Sequence, residues 1–186
     1  MKRFFDLIIS VFAFIILLIP AIIIALVVSF TSEGPIIYWS DRVGRNNEIF
    51  RMPKFRTMRV DAPVVATHLM ENAERHLTPV GSFLRKSSLD ELPQLWSIVL
   101  GHMSFVGPRP ALFNQDDLIR LRTEKGVDKL VPGLTGWAQV NGRDESPIPV
   151  KVGLDIEYLQ RQSCWFDIYI LWLTFLRVFR GAGISH

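Results

Sequence analysis

From Leu7 to Phe30 the chain carries no charged side chain. An apolar run of this length must be covered by lipid or by a large protein core. As a straight helix at about 1.5 Å per residue it reaches roughly 36 Å, enough to cross a hydrocarbon layer of ~30 Å. It is too long for the apolar part of a cleaved leader, and no A-x-A-like site follows it. Residues 1–33 are therefore expected to form a membrane element, and residues 34–186 a folded unit outside it.

Two details leave the path of this segment open. Pro20 sits near its middle, where it removes a helix hydrogen bond and favours a kink. Both flanks are basic: Lys2 and Arg3 before it, and Arg42, Arg45, Arg51, Lys54, Arg56 and Arg59 after it, against Glu33, Asp41 and Glu48. Basic flanks favour the cytoplasmic side, and a spanning helix cannot put both ends there. A helix bent at Pro20 that enters and leaves by one face can, although its freed carbonyls then need partners within the bilayer. A single span with a tolerated proline is the other reading.

The 186 residues have room for one domain beside a membrane element. A net charge of +3 suits an anionic membrane or a phosphorylated substrate, and selects neither alone. Cys164 is the single cysteine, which excludes a disulfide within these residues and a thiolate metal cluster. Beside Trp165 and Phe166 it reads as a small buried apolar residue.

Beyond the turn at Glu33-Gly34-Pro35, residues 36–40 and 48–52 are β-prone, with polar residues 41–47 between them, which predicts a hairpin. Residues 62–77 have helical propensity. A helix is predicted from about Asp90 to Leu100 with its stop at Gly101, and another from Asn114 to Lys125 with its stop at Gly126. Val131 to Arg143 carries Pro132, Gly133, Gly136 and Gly142 and reads as an ordered loop. Val150 to Gln162 and Trp165 to Arg180 are two further helices; the second is aromatic-rich and suits either a membrane interface or a protein core.

The adjacent acids Asp90 and Glu91 stand where the first of these helices begins. Proline is cheap only in the first turn, so Pro93 places Asp90 at or near the N-cap. A carboxylate there meets unpaired N–H groups and the positive end of the helix dipole, which favours its ionised form; the same place attracts phosphate. Arg85 and Lys86 lie upstream, and Arg109 is held between Pro108 and Pro110. Each feature alone has a plain structural explanation. An acid in a first turn is usually a cap, Ser88 and Glu91 fit a capping box, and a loop arginine is usually solvated.

The ordered string is more specific. Leu77-Thr78-Pro79-Val80-Gly81, Phe83-Leu84-Arg85, Ser88-Leu89-Asp90-Glu91-Leu92-Pro93-Gln94-Leu95 and Met103-Ser104-Phe105-Val106-Gly107-Pro108-Arg109-Pro110 resemble the bacterial sugar transferases, the monotopic phosphoglycosyl transferases. So do the opening Lys2-Arg3-x-x-Asp6, Lys54-Phe55-Arg56-Thr57-Met58, the run Pro132-Gly133-Leu134-Thr135-Gly136-Trp137-Ala138-Gln139-Val140-Asn141-Gly142-Arg143, Asp155-x-x-Tyr158 and Asp167. The resemblance covers nearly the whole chain.

It implies transfer of a sugar 1-phosphate from a UDP-sugar to undecaprenyl (polyprenyl) phosphate, with UMP released and Mg²⁺ as cofactor. It places the protein at the bacterial inner membrane, among membrane lipids, with the catalytic unit on the cytoplasmic face. It also implies a re-entrant N-terminal helix kinked at Pro20. By the same resemblance Asp90 is the nucleophile that forms an aspartyl-phosphosugar intermediate and the carboxylate that meets the metal, with Glu91 in support. Arg85 and Arg109 match phosphate-holding arginines, Asp167 an acidic active-site position, and Asn141 and Arg143 a substrate-binding motif. The expected fold class is α+β, mostly helical, with a short β-hairpin and interfacial amphipathic helices around the catalytic unit. No nucleic-acid partner is expected, and a homo-oligomer is allowed.

The chain departs from the family pattern at Ser97, where asparagine is usual, at Leu100, where a basic residue is common, and at His102, where an acid is expected. Any acidic role at that last position is lost. The competing reading is a membrane-anchored basic binding or scaffold protein without catalytic activity, which the intact Asp90-Glu91 pair disfavours.

Overall fold

The computed structural model describes residues 2–63, 73–142 and 146–180. Helix α1 runs over Lys2–Thr31 with Pro20 inside it, so the proline does not end the helix. Positions 6, 10, 13, 17, 21, 24 and 28 recur every three or four residues and lie on one face. Asp6, Ser10, Ile24 and Val28 are buried there, and Ala13, Leu17 and Ala21 pack against the protein core. The other faces expose Phe4, Ile8, Phe12, Ile15, Ile19, Ile23 and Phe30. The helix is long and apolar enough to cross a membrane, yet one stripe of it docks on the rest of the chain along its whole length.

Polar bonds fasten both ends of α1. Lys2 Nζ meets Asp167 Oδ2 at 2.5 Å. The Arg3 guanidinium donates to the carbonyls of Ile98 and Val99, the last turn of another helix, where unpaired carbonyls favour a cation. Asp6 Oδ1 accepts from the Ser104 hydroxyl at 3.0 Å and from the Phe105 amide at 3.1 Å. Beyond the far end, Arg56 donates to the Ser32 carbonyl at 2.9 Å and to its hydroxyl at 3.0 Å.

The hairpin forms where the β-prone runs predict it, with longer strands. β1 (Ile37–Val43) pairs antiparallel with β2 (Ile49–Phe55), Ser40 opposite Met52. The turn is a 3-10 segment, Arg45–Asn47, in which Asn46 and Asn47 take positive φ, a region that asparagine tolerates. Phe50, Met52 and Phe55 point into the core. Of residues 62–77, those at 64–72 lie outside the described residues, and Ala73–His76 is a 3-10 turn.

α2 (Gly81–Lys86) leads through a 3-10 turn, Leu89–Glu91, to α3 (Gln94–Leu100), which stops at Gly101 with φ 87°. β3 (Ser104–Val106) follows, then α4 (Asp116–Glu124), with left-handed Gly126 two residues beyond it. The stretch from Val131 is not a plain loop. It holds β4 (Gly133–Thr135), parallel to β3, and α5 (Trp137–Asn141). Its glycines serve close packing between segments of the chain: a Cβ on Gly133 would lie 2.1 Å from the Gly107 nitrogen. α6 (Ile148–Arg161) and α7 (Cys164–Arg180) complete the unit.

The main core joins β2, α3, β3, α6 and α7 through Met52, Ile98, Met103, Phe105, Tyr158 and Ile170. α7 resolves the choice left open for it by being two-faced. Phe166 and Ile170 are buried, while Trp165, Trp172, Phe175 and Val178 form an exposed apolar face. Cys164 is exposed rather than buried, because it starts that helix on its outer side. The architecture is mostly helical α+β, with a long apolar N-terminal helix and two small sheets.

Asp6→Ala removes the acceptor for the buried Phe105 amide. It is expected to cost about 1–3 kcal/mol, read as a lower unfolding midpoint of the detergent-solubilised protein.

Candidate functional site

Asp90 lines a cavity of about 430 Å³ between the hairpin and the α2–α3 region. The hairpin supplies one wall: Ile37 to Ser40 and Arg42 line it from β1, and Arg51, Lys54 and Phe55 from β2. Arg56 and Thr57, just past β2, extend that wall. Arg85 enters from α2 and Arg109 from the segment after β3. The cavity is thus rich in guanidinium groups and, among the described residues lining it, has one buried carboxylate, Asp90, at 6% exposure.

Ser88 makes this convergence possible. It takes φ 56°, a strained value for a residue with a side chain. The left-handed step turns the chain between α2 and the 3-10 turn, so that Arg85 and Asp90 reach the same cavity. Asp90 is not the cap of α3. It lies within the 3-10 turn, and Pro93 takes the N-cap position without a side-chain capping bond. The capping box does not form either: Ser88 makes no capping bond, and Glu91 turns to the cations instead. Lys54 Nζ lies 2.7 Å from Glu91 Oε1, and Arg109 Nη2 lies 3.3 Å from the same oxygen.

Burial works against the expected preference of Asp90 for its ionised form. Desolvation pushes its carboxyl above the usual range, with Glu91 adding to the rise; Lys54, Arg85 and Arg109 oppose it. Burial also lowers the pKa of Arg85, against the pull of Asp90. Arg85 Nε donates to Thr57 Oγ1 at 2.9 Å, which aims the guanidinium. Arg56 is 4% exposed; Nη2 is bound to Ser32, while the buried Nε and Nη1 have no hydrogen-bond partner. A buried cation with two unused donors at the wall of such a cavity is suited to an anion.

Arg109 is held from behind. The Arg122 guanidinium donates from Nη1 to the Arg109 carbonyl at 2.8 Å, and from Nε and Nη2 to Asp155 Oδ2 at 2.9 and 2.7 Å. Asp155 of the expected Asp155-x-x-Tyr158 pair thus acts on the site at one remove. Burial raises the pKa of Asp155, and Arg122 opposes that rise.

Not every residue singled out in the sequence joins this cavity. Asp167 is buried elsewhere, accepting from the Tyr158 hydroxyl at 2.7 Å and pairing with Lys2. Asn141 donates to the Trp137 carbonyl within its own helix. Arg143 lies outside the described residues. His102 tilts against Phe50 at 5.8 Å between ring centres, and Ser97 is a buried α3 residue. Sequence reasoning assigned no role to Lys54, Arg56 or Thr57, although the Lys54–Met58 motif contained them. Their alternation along and beyond a strand was the signal, since it puts both cations on one side.

A family profile for bacterial sugar transferases matches residues 1–181. The chain belongs to the bacterial sugar transferase family. It is 40% identical over 191 residues to "UDP-glucose:undecaprenyl-phosphate glucose-1-phosphate transferase" of Escherichia coli (strain K12), covering 97% of this chain and 40% of that protein. It is 36% identical over 194 residues to "Galactosyl transferase CpsE" of Streptococcus agalactiae serotype III, covering 98% of this chain and 43% of the relative. An uncharacterized sugar transferase of Bacillus subtilis (strain 168) is 36% identical over 187 residues, with 100% of this chain and 90% of the relative covered. The chain therefore spans well under two thirds of the first two relatives, and the part it shares with them includes every element around Asp90.

Arg122→Ala leaves buried Asp155 without the guanidinium that pairs with it. The loss is expected to be about 3–5 kcal/mol, and Arg122→Met with Asp155→Leu is expected to recover most of it. Denaturant midpoints of the three proteins test this.

Proposed function

We propose that this protein is a phosphoglycosyl transferase that moves a sugar 1-phosphate from a UDP-sugar to undecaprenyl phosphate. The observation that carries the reading is the single buried carboxylate of Asp90 facing Lys54, Arg85 and Arg109 in one cavity. Phosphoryl transfer asks chiefly for a positioned nucleophile and charge neutralisation. The names of two relatives, which pair UDP-glucose with undecaprenyl phosphate and UDP-galactose with a lipid carrier, support the same substrates.

In the first step an Asp90 carboxylate oxygen attacks the β-phosphorus of the UDP-sugar. The bond from that phosphorus to the bridging oxygen breaks, and UMP leaves with the electron pair. The sugar phosphate is then an acyl phosphate on Asp90. In the second step an oxygen of undecaprenyl phosphate attacks the same phosphorus, the bond to Asp90 breaks, and the free carboxylate returns. Lys54, Arg85, Arg109 and the unused donors of Arg56 neutralise the phosphate oxygens in both steps. Glu91 holds Lys54 and Arg109 in place.

Magnesium fits this donor set only in company with substrate. The described residues contain no group of three or more metal-ligating side chains. Mg²⁺ commonly binds one or two carboxylates together with phosphate oxygens, and Asp90, with Glu91 beside it, could supply the protein's share. Bound there, the ion would lower the charge of the diphosphate.

The membrane arrangement belongs to this proposal. Both ends of α1 are bonded to one folded unit, and the two ends of a spanning helix would lie on opposite sides of the bilayer. That supports a re-entrant helix, with the catalytic unit and the exposed aromatic face of α7 resting on the inner membrane from the cytoplasmic side.

Asp90→Asn is expected to lower UMP release by ~10³-fold or more in an assay with UDP-glucose or UDP-galactose and undecaprenyl phosphate, with membrane binding retained. A basic binding or scaffold protein would release no UMP in either form. Chelation of Mg²⁺ is expected to stop the wild-type reaction and its return to restore it. The pH profile adds a sign test. A nucleophile with a raised pKa must lose its proton before it attacks, so the acid limb of kcat/KM should lie above the ordinary aspartate value of about 3.9. Lys54→Met removes a cation that lowers that pKa and should move the limb to still higher pH.

A further inference from the structure

We infer that a second cavity, next to the one holding Asp90, seats the hydrocarbon adjoining the phosphate of the lipid acceptor; the inference rests on the reaction proposed above. This cavity measures about 330 Å³, and every residue lining it is apolar. Phe14, Leu17 and Leu18 of α1 form one side, and Leu92, Pro93 and Trp96 form another.

The two cavities lie side by side against the hairpin. Ile37, Trp39 and Phe55 line both. The chain crosses the boundary within two residues: Asp90 lines the cationic cavity, and Leu92 and Pro93 line the apolar one. A molecule filling both must carry a phosphate at one end and an uncharged chain directly attached to it. A nucleotide sugar has nothing to place in the apolar part. A phospholipid can place a chain there, but its phosphate is esterified on both sides and has no free end to attack phosphorus. A long-chain phosphate monoester satisfies both halves. Because α1 supplies one wall, such a lipid reaches the cavity from the bilayer, while the nucleotide sugar arrives from water. The two substrates therefore share the phosphate pocket by separate routes.

Leu18 and Trp96 are about half exposed at the rim, so replacing them does not disturb the core. Leu18→Trp narrows the cavity and Trp96→Ala removes one wall. Each is expected to raise KM for undecaprenyl phosphate about tenfold, the effect of losing burial worth about two methylene groups, with KM for the UDP-sugar unchanged. Ile19→Trp, on the outer face of α1, is expected to leave both constants unchanged. Undecaprenyl phosphate with a diazirine on its first isoprene unit, in nanodiscs of phosphatidylethanolamine and phosphatidylglycerol, is expected to label the segments 14–18 and 92–96. Unlabelled undecaprenyl phosphate should compete, and extra phosphatidylglycerol should not. If the wild type turns over while Leu18→Trp behaves as Ile19→Trp, or if phosphatidylglycerol competes as well, the cavity is not the acceptor's seat. A wild type that releases no UMP overturns the reaction itself.

Discussion

Three polar side chains at the start of an apolar helix determine where the rest of this protein sits. Lys2, Arg3 and Asp6 bind, in turn, a carboxylate on α7, the carbonyl end of α3 and the backbone of β3. Each partner is a group that burial would otherwise penalise: an acid, unpaired helix carbonyls and an unpaired strand amide. The helix thus serves as a structural member as well as a segment long and apolar enough to cross a membrane. Its inner stripe supplies part of two cores, while its outer faces keep the side chains that lipid requires.

The site above that helix balances two opposing electrostatic effects. Burial makes Asp90 reluctant to ionise, and Lys54, Arg85 and Arg109 draw it back. Removing any of these cations shifts the balance in the same direction. The cations are themselves positioned: Arg85 by Thr57, Arg109 through Arg122 and Asp155, and Lys54 by Glu91. In the proposed reaction such a desolvated carboxylate suits attack on phosphorus, since little water must be displaced from it when the substrate binds.

Much of this was legible before the structure. Hydrophobic length located α1, β-prone runs located the hairpin, and Gly101 and Gly126 marked the ends of their helices. The errors have physical causes. Val131–Arg143 looked like a loop because its glycines signal turns locally, whereas here they let two strands approach closely. Asp90 looked like a helix cap because Pro93 marks the first turn, but Pro93 itself took the cap and an extra 3-10 turn carried Asp90 inward. Asp167 was legible as an important acid but not as a partner of Lys2 and Tyr158, because a pairing across the length of the chain leaves no local pattern. Lys54 and Arg56 were visible as charges, and only the register of the hairpin shows that they share a wall with Arg85.

The bond from Lys2 to Asp167 joins residues 165 positions apart. Ribosomes deliver a chain from its N-terminus, so α1 emerges long before its anchors on β3, α3 and α7 exist. During that interval its docking stripe, with Asp6 and Ser10, lacks the surfaces it later lies against. Its partners on α3 and β3 come next, and the Lys2 end waits longest, for α7. A truncation before α7 would therefore leave the Lys2 end of α1 without its carboxylate partner.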